Sequence, residues 1–331
     1  MKRLFAFTSG YFHLCSFLFI LSISVFSYES LFARLVYPDF TLSMMRDGNS
    51  LYKYEDVFIK KQKKGDFSNT KYLEIFRNIY ARNIIKARML ESDSLRIPLI
   101  VHQIWLGGQV PKKYCEWMKS WANLIGWEYK LWTDDDVKEM ILYNQELYDQ
   151  SSNYGEKSDI LRLEILWEYG GLYVDVDYEC MKPEIFYGLH KSFDFYIGFE
   201  PIEHGLVYDM YKTCNALVGA APGHPLILDF MEHMNENAME YQYKTAVEKT
   251  GPDYLSRIIF AYEQNNINHQ YRNMYLPCTF FYPFSAPEIR TLSQQELLLQ
   301  LPLETAAIHY WTGSWMDAQE PLPYYLSEEN L

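Results

Sequence analysis

The sequence is short of the features that define several large classes of protein. Its 331 residues include five cysteines. Cys15 lies in an N-terminal apolar run, and Cys115, Cys180, Cys214 and Cys278 are scattered with no Cys-x-x-Cys pair. Such spacing builds neither a zinc site nor a disulfide framework, so free and mostly buried thiols are expected. Positive charge is scarce too: 30 Lys and Arg against 43 Asp and Glu give a formal net charge of −13. Nucleic acids and anionic lipids are held by clustered cations, so no nucleic-acid partner is expected. The one basic cluster, Lys60-Lys61-Gln62-Lys63-Lys64, reads as a solvated loop or helix face. Internal repeats and low-complexity tracts are absent. No Asn-x-Ser/Thr sequon occurs, which tilts the reading from a eukaryotic secretory lumen towards a bacterial protein.

What is present is a foldable, aromatic-rich chain. Apolar residues make up 49% and charged residues 22%, enough for a sizeable core. Aromatic residues reach 17%, with 29 Tyr. Flat rings stack on bases and on sugar faces, though most of them serve simply as core. Met1-Lys2-Arg3 followed by an apolar stretch, strongest from Leu14 to Phe26, has the length of a signal-peptide core; extended back to Leu4 it reaches the length of a membrane span. Residues 1–28 are therefore expected to be a signal peptide or an N-terminal membrane anchor, making the protein exported or membrane-associated through its N-terminus. A buried first helix is the other reading. Residues 29–96 read as a helical preface, with apolar residues recurring every three or four from Tyr72 to Met89.

From Ile97 the pattern changes to alternating strands and helices. Leu99–Trp105 is a short apolar run closed by Gly107-Gly108, and Trp127–Trp132 alternates as a second strand. Thr133 with Asp134-Asp135-Asp136 reads as a helix cap rather than a metal site, since acids in a first turn suit the helix dipole. Glu156–Tyr169 reads as an amphipathic helix ended by Gly170-Gly171. Leu172–Asp177 follows as a strand, and Ala306–Trp311 as another. The alternation implies an α/β fold with a parallel-rich sheet over residues 97–331.

Asp175-Val176-Asp177 is the sharpest chemical feature. On a strand, residues i and i+2 face the same side about 6–7 Å apart. Two carboxylates at a strand end suit Mg²⁺ or Mn²⁺, which keep positions open for phosphate oxygens and water. Two exposed acids at a strand end fit the same pattern, so the context decides. That context is a Gly-Gly turn preceded by a helix on which Asp159 and Arg162 share a face. The pair reads either as a surface ion pair or as a grip on sugar and ribose hydroxyls.

Taken together, Ile97-Pro98 through His102-Gln103-Ile104-Trp105, Trp127 to Thr133, Lys157-Ser158-Asp159 with Arg162, and Tyr169-Gly170-Gly171-Leu172-Tyr173-Val174-Asp175-Val176-Asp177 resemble the glycosyltransferases with the DXD sugar-binding region. That family includes the yeast initiating α-1,6-mannosyltransferase, inositol-phosphoceramide mannosyltransferases and bacterial capsular polysaccharide enzymes. The close resemblance spans residues 97–183, with echoes in Asn215, Thr250-Gly251-Pro252, His309 and Gly313-Ser314-Trp315. It implies a GT-A-type, Rossmann-like nucleotide-sugar-binding domain and a divalent-metal-dependent, retaining transfer of a hexose. The donor would be a UDP- or GDP-hexose, and the acceptor a hydroxyl on a glycan, glycolipid or protein. By position, Asp175 and Asp177 match the catalytic metal and diphosphate pair, with Mn²⁺ or Mg²⁺ as cofactor. Asp159 and Arg162 match the donor sugar and ribose contacts, and Trp105 the aromatic near the base. His309, Ser314 and Trp315 match a segment closing over the metal or diphosphate, with His309 as third metal ligand. A catalytically inactive nucleotide-sugar- or carbohydrate-binding protein is the alternative from another class. A phosphohydrolase would need further ligands or an activated nucleophile, which the sequence does not offer.

Overall fold

A computed structural model describes residues 37–46, 68–89, 94–205, 211–265 and 270–314. The expected leader over 1–28, the Lys60–Lys64 cluster and Trp315 lie outside the described residues. Among the described residues no helix is long and apolar enough to cross a membrane.

In chain order the elements are α1 (Phe40–Met44), α2 (Ser68–Met89), β1 (Ile100–Ile104), α3 (Cys115–Ala122), β2 (Glu128–Trp132), α4 (Asp134–Val137), α5 (Gln145–Gln150) and α6 (Tyr154–Tyr169). Then come β3 (Gly171–Val174), β4 (Tyr178–Cys180), α7 (Pro183–Ser192), β5 (Phe195–Phe199), α8 (Ile202–Gly205), β6 (Thr213–Ala220), α9 (Pro225–Glu240) and α10 (Ala246–Lys249). The series ends with α11 (Pro252–Asn265), β7 (Asn273–Leu276), α12 (Ala286–Thr291), α13 (Gln294–Leu299) and β8 (Ala307–His309). Six strands form one sheet in the order β2-β1-β3-β6-β5-β7. β1 runs parallel to β2 and β3, and β7 runs parallel to β5, while β6 is antiparallel to both β3 and β5. The fold is α/β, as the alternation implied. A separate antiparallel pair, β4 with β8, sets Tyr178 opposite His309.

The parallel half is the part whose pattern was plainest. Thr133 caps α4 in a reciprocal capping box with Asp136, so the triple Asp is a helix start, as read. α6 differs from the amphipathic helix expected. It is buried almost all round, against the sheet on one side and α9 and α10 on the other, which is why its apolar positions do not confine themselves to one stripe. Asn153 caps it, accepting from the backbone N–H of Gly155 and Glu156. Its far end is fixed by glycine: Gly170 (φ +62°) and Gly171 (φ +100°) are left-handed, and a Cβ on Gly170 would fall 2.6 Å from Pro222 Cδ. The strand after the joint is shorter than expected. β3 stops at Val174, and Val176-Asp177 turn before β4 begins. Asp175 still belongs to the sheet edge, its N–H donating to Ala216 O at 2.8 Å. Part of the expected preface packs on the edge strand β7, with Phe76 in edge contact with Tyr275 at 4.9 Å.

Three imidazoles are locked neutral in the core. His102 Nδ1 accepts from the Trp132 indole N–H at 3.2 Å, so its Nε2 donates to Gly170 O at 2.9 Å. Burial lowers the pKa of His102 to about 4, of His190 to about 3 and of His224 to about 4. An unfolded imidazole binds its proton below about 6.5; these folded ones do not until pH 3–4. Their contribution to stability is therefore complete at neutral pH and declines as pH falls from 6.5 towards 4. At pH 5 the loss should be about 2 kcal/mol per imidazole. Urea midpoints at pH 7 and pH 5 should show the decline, and the pH slope should flatten in His190→Gln. A slope identical in that variant would mean His190 takes no part.

Candidate active site

The site gathers where the C-terminal ends of β1, β3 and β5 meet the start of β6, around a cavity of about 320 Å³. Open α/β sheets place ligands at such strand ends. Trp105, Asp159, Arg162, Asp175, Asp177, His309 and Ser314 all line this cavity.

Each member is held by a traceable device. Asp177 lies in the turn after β3, and the β4–β8 pairing brings His309 to it: His309 Nε2 is 3.2 Å from Asp177 Oδ1. Asp177 Oδ2 accepts from the N–H and hydroxyl of Thr312 at 2.9 and 2.8 Å. Burial alone would raise this carboxyl, but His309 and Thr312 outweigh it and hold its pKa at about 2. Asp175 is deep yet opens onto the cavity, with its side chain 28% exposed. Burial pushes its pKa up, with the Arg162 charge opposing. Its Oδ1 accepts from Tyr173 OH at 2.6 Å and lies 3.3 Å from Arg162 Nη1.

Behind Asp175 runs a buried polar network. Arg162 Nη2 is 3.0 Å from Asp159 Oδ1, Nη1 donates to Asn215 O at 2.6 Å, and Nε donates to Ser158 O. The guanidinium also lies over the Tyr173 ring at 4.4 Å. Asp159 accepts from Asn215 Nδ2 at 2.7 Å and Thr250 Oγ1 at 2.8 Å. Burial nevertheless wins over the Arg162 charge and raises the Asp159 pKa to about 6. The surface-pair reading of Asp159 and Arg162 is thereby corrected: both are buried, because α6 is covered on two sides.

Two carboxylates and an imidazole, from Asp175, Asp177 and His309, present ligand atoms within 4.8 Å of one another. Two hard carboxylates with one imidazole fit a small divalent cation. His309 faces the pair through Nε2, and its Nδ1 is buried without a hydrogen-bond partner among the described residues.

Several residues of the cavity and its supporting network were not singled out from sequence. Tyr154 covers Gly107 at the mouth, so closely that a Cβ there would lie 2.5 Å from its ring. Asn215 and Thr250 stood out only as echoes of a motif. Thr312 carries no sequence signal, because its role depends on the β4–β8 pairing. Trp311 adopts φ +50°, a rare conformation for a bulky residue. It packs 4.1 Å from His309 and donates its indole N–H to Phe284 O at 3.0 Å. Trp311→Phe keeps a ring against His309 but loses that bond, and should destabilise the protein by about 1 kcal/mol. Thermal melts read this directly; an unchanged melting temperature would show that the indole N–H contributes nothing.

The fold is thus a mixed α/β sheet with a carboxylate–imidazole cluster at its strand ends, beside a cavity with a buried Asp–Arg floor. Comparison narrows the class: residues 110–193 match the model of the glycosyltransferase sugar-binding region containing the DXD motif, the family that the sequence resembles. Among curated relatives, inositol phosphoceramide mannosyltransferase 3 of Schizosaccharomyces pombe is 28% identical over 193 residues, covering 55% of this chain and 50% of that protein. A glycosyltransferase of Acanthamoeba polyphaga mimivirus is 27% identical over 179 residues, covering 51% and 67%. The chain thus spans about half the length of the first of these relatives. Among solved structures, the PaToxG glycosyltransferase aligns at 16% identity and TM-score 0.39, covering 61% of this chain and 80% of that one.

Proposed function

We propose that the chain is a divalent-metal-dependent glycosyltransferase of GT-A type that moves a hexose from a UDP- or GDP-sugar to a glycan, glycolipid or protein hydroxyl. The observation that carries this reading is the convergence of Asp175, Asp177 and His309 on the cavity floored by Asp159 and Arg162. The family match and the names of the relatives point the same way.

In this reading Asp175, Asp177 and His309 hold the cation. A bound cation would supply charge neutralisation for the nucleoside diphosphate as it leaves. The chain's own residues do the rest. Tyr173 and Arg162 fix Asp175, and Thr312 fixes Asp177. Trp105 and Tyr154 offer ring faces at the mouth for the base. Asp159 is spoken for by Asn215, Thr250 and Arg162, so it is a poor nucleophile. A retaining transfer, which the resemblance implies, would then run without a side-chain nucleophile, the acceptor hydroxyl entering from the leaving-group face and passing its proton to a phosphate oxygen.

A thermal-shift screen of UDP- and GDP-hexoses with Mn²⁺ tests the reading. A donor at 100 times its Kd should add about 2.7 kcal/mol, and EDTA should abolish the shift. Release of nucleoside diphosphate that rises with acceptor distinguishes a transferase from an inactive binding protein. No shift with any nucleotide sugar would refute the proposal. The N-terminal leader remains part of the proposal, and fractionation of a tagged full chain checks it; an uncleaved, wholly cytosolic product would sink it.

A further inference from the structure

One buried carboxylate in the cavity has no part in the machinery above. Glu200 follows β5, its N–H donating to Lys212 O at 2.7 Å, and the residue lines the cavity although it is only 3% exposed. His204, one turn on, places Nδ1 3.0 Å from Glu200 Oε2. The ring's other nitrogen, Nε2, faces the Ala286 N–H at 3.4 Å. An amide N–H only donates, so Nε2 is the acceptor and Nδ1–H donates to Glu200. Trp311 packs edge-on against His204 at 4.7 Å and fixes the ring from the cavity side. The imidazole thus orients Glu200, and with the Cys214 thiol as its other side-chain partner the carboxylate keeps acceptor positions to spare among about four.

Placement says what Glu200 can reach. Trp105 follows β1, Asp175 follows β3, Cys214 and Asn215 open β6, and Glu200 follows β5, and these four strands are successive neighbours. At about 4.8 Å per strand, Glu200 stands roughly 10 Å across the sheet from Asp175, on the side away from Trp105. A nucleotide sugar with its base at Trp105 and its diphosphate at Asp175 would extend its hexose towards Glu200.

We infer that Glu200 is a sugar-recognition residue whose carboxylate accepts a hydrogen bond from a ring hydroxyl of the transferred hexose. The inference rests on the donor orientation in the proposed function. It gives a reason for a charge at this depth: burial raises the Glu200 pKa, but His204 and Lys212 overcome this and keep the group ionised. A charged acceptor discriminates between epimers, because a hydroxyl turned the other way leaves the buried carboxylate unpaired.

The test uses the full chain with Mn²⁺ and measures Kd for UDP, GDP, UDP-glucose, UDP-galactose and GDP-mannose in wild type, Glu200→Gln and Glu200→Ala. Glu200→Gln keeps an oxygen for His204 and guards against a folding defect in the Ala variant. The expected result is unchanged affinity for the bare nucleoside diphosphate and a loss of about ten-fold or more for the preferred nucleotide sugar. Discrimination between hexoses should narrow in parallel. Equal losses for diphosphate and sugar donor would make the Glu200–His204 pair structural and overturn the inference. So would unchanged donor binding with a raised KM for the acceptor alone, which would move the hydroxyl to the acceptor. A wild type that binds neither nucleoside diphosphates nor nucleotide sugars refutes the proposed function itself, and the inference with it.

Discussion

Asp175→Asn and Asp177→Asn should each lower sugar transfer by at least about 100-fold, with the melting temperature moving by less than about 4 °C in Asp175→Asn and by more in Asp177→Asn, whose buried charge His309 and Thr312 stabilise. The two effects separate because Asn is nearly isosteric with Asp. At Asp175 the side chain opens onto the cavity, and an amide oxygen still accepts from Tyr173 OH. At Asp177 the replaced group is buried: one amide oxygen still serves the Thr312 N–H and hydroxyl, but the amide N–H₂ can bond His309 Nε2 only if the ring moves its proton to the unpartnered Nδ1. What Asn cannot replace is charge. A neutral amide is a much weaker ligand for a hard divalent cation than a carboxylate, and an uncompensated diphosphate is a poor leaving group. Metal titrations should show weaker Mn²⁺ dependence in each variant. Near-normal turnover of either variant at saturating Mn²⁺ would remove the pair from the metal site.

How far the sequence led depends on how local each feature is. The capping box at Thr133 and the glycine joint at Gly170-Gly171 are written in adjacent residues, and so were legible. The end of β3 was not, because Asp175-Val176-Asp177 alternates like a strand while the chain turns at Val176 to start β4. The burial of Asp159 and Arg162 was also hidden. Their i, i+3 spacing looks the same on an exposed helix, and only the packing of α9 and α10 over α6 decides the matter. His309 lies far from Asp177 in sequence, and β4–β8 pairing joins them; resemblance pointed to His309, whereas nothing pointed to Thr312 or Glu200, whose meaning is wholly tertiary.

Arg162→Ala should be the most damaging single change to stability, and the geometry reverses what an exposed pair would do. A surface pair contributes under about 1 kcal/mol, so its loss would leave the melting temperature almost unmoved. Here Arg162 is buried and satisfies Asp159, Asp175, Asn215 O and Ser158 O together. Removing one partner of such a network costs roughly 3–5 kcal/mol, because the remaining charges stay buried. Burial, which already raises the Asp159 pKa to about 6, would then drive that carboxyl neutral and spread the damage to Asn215 and Thr250. A large melting loss is therefore expected, and by itself it says nothing about donor binding. A balanced change separates the two roles. Arg162→Met combined with Asp159→Asn removes both charges while keeping volume and the bonds to Asn215 and Thr250, so it should recover part of the stability lost in Arg162→Ala. If the pair also grips the donor, kcat/KM should stay down by about ten-fold or more in the double variant, since each lost charge-assisted bond is worth roughly 1.5–3 kcal/mol. Recovery of stability together with normal donor kinetics would make Asp159 and Arg162 a scaffold for Asp175 and nothing more.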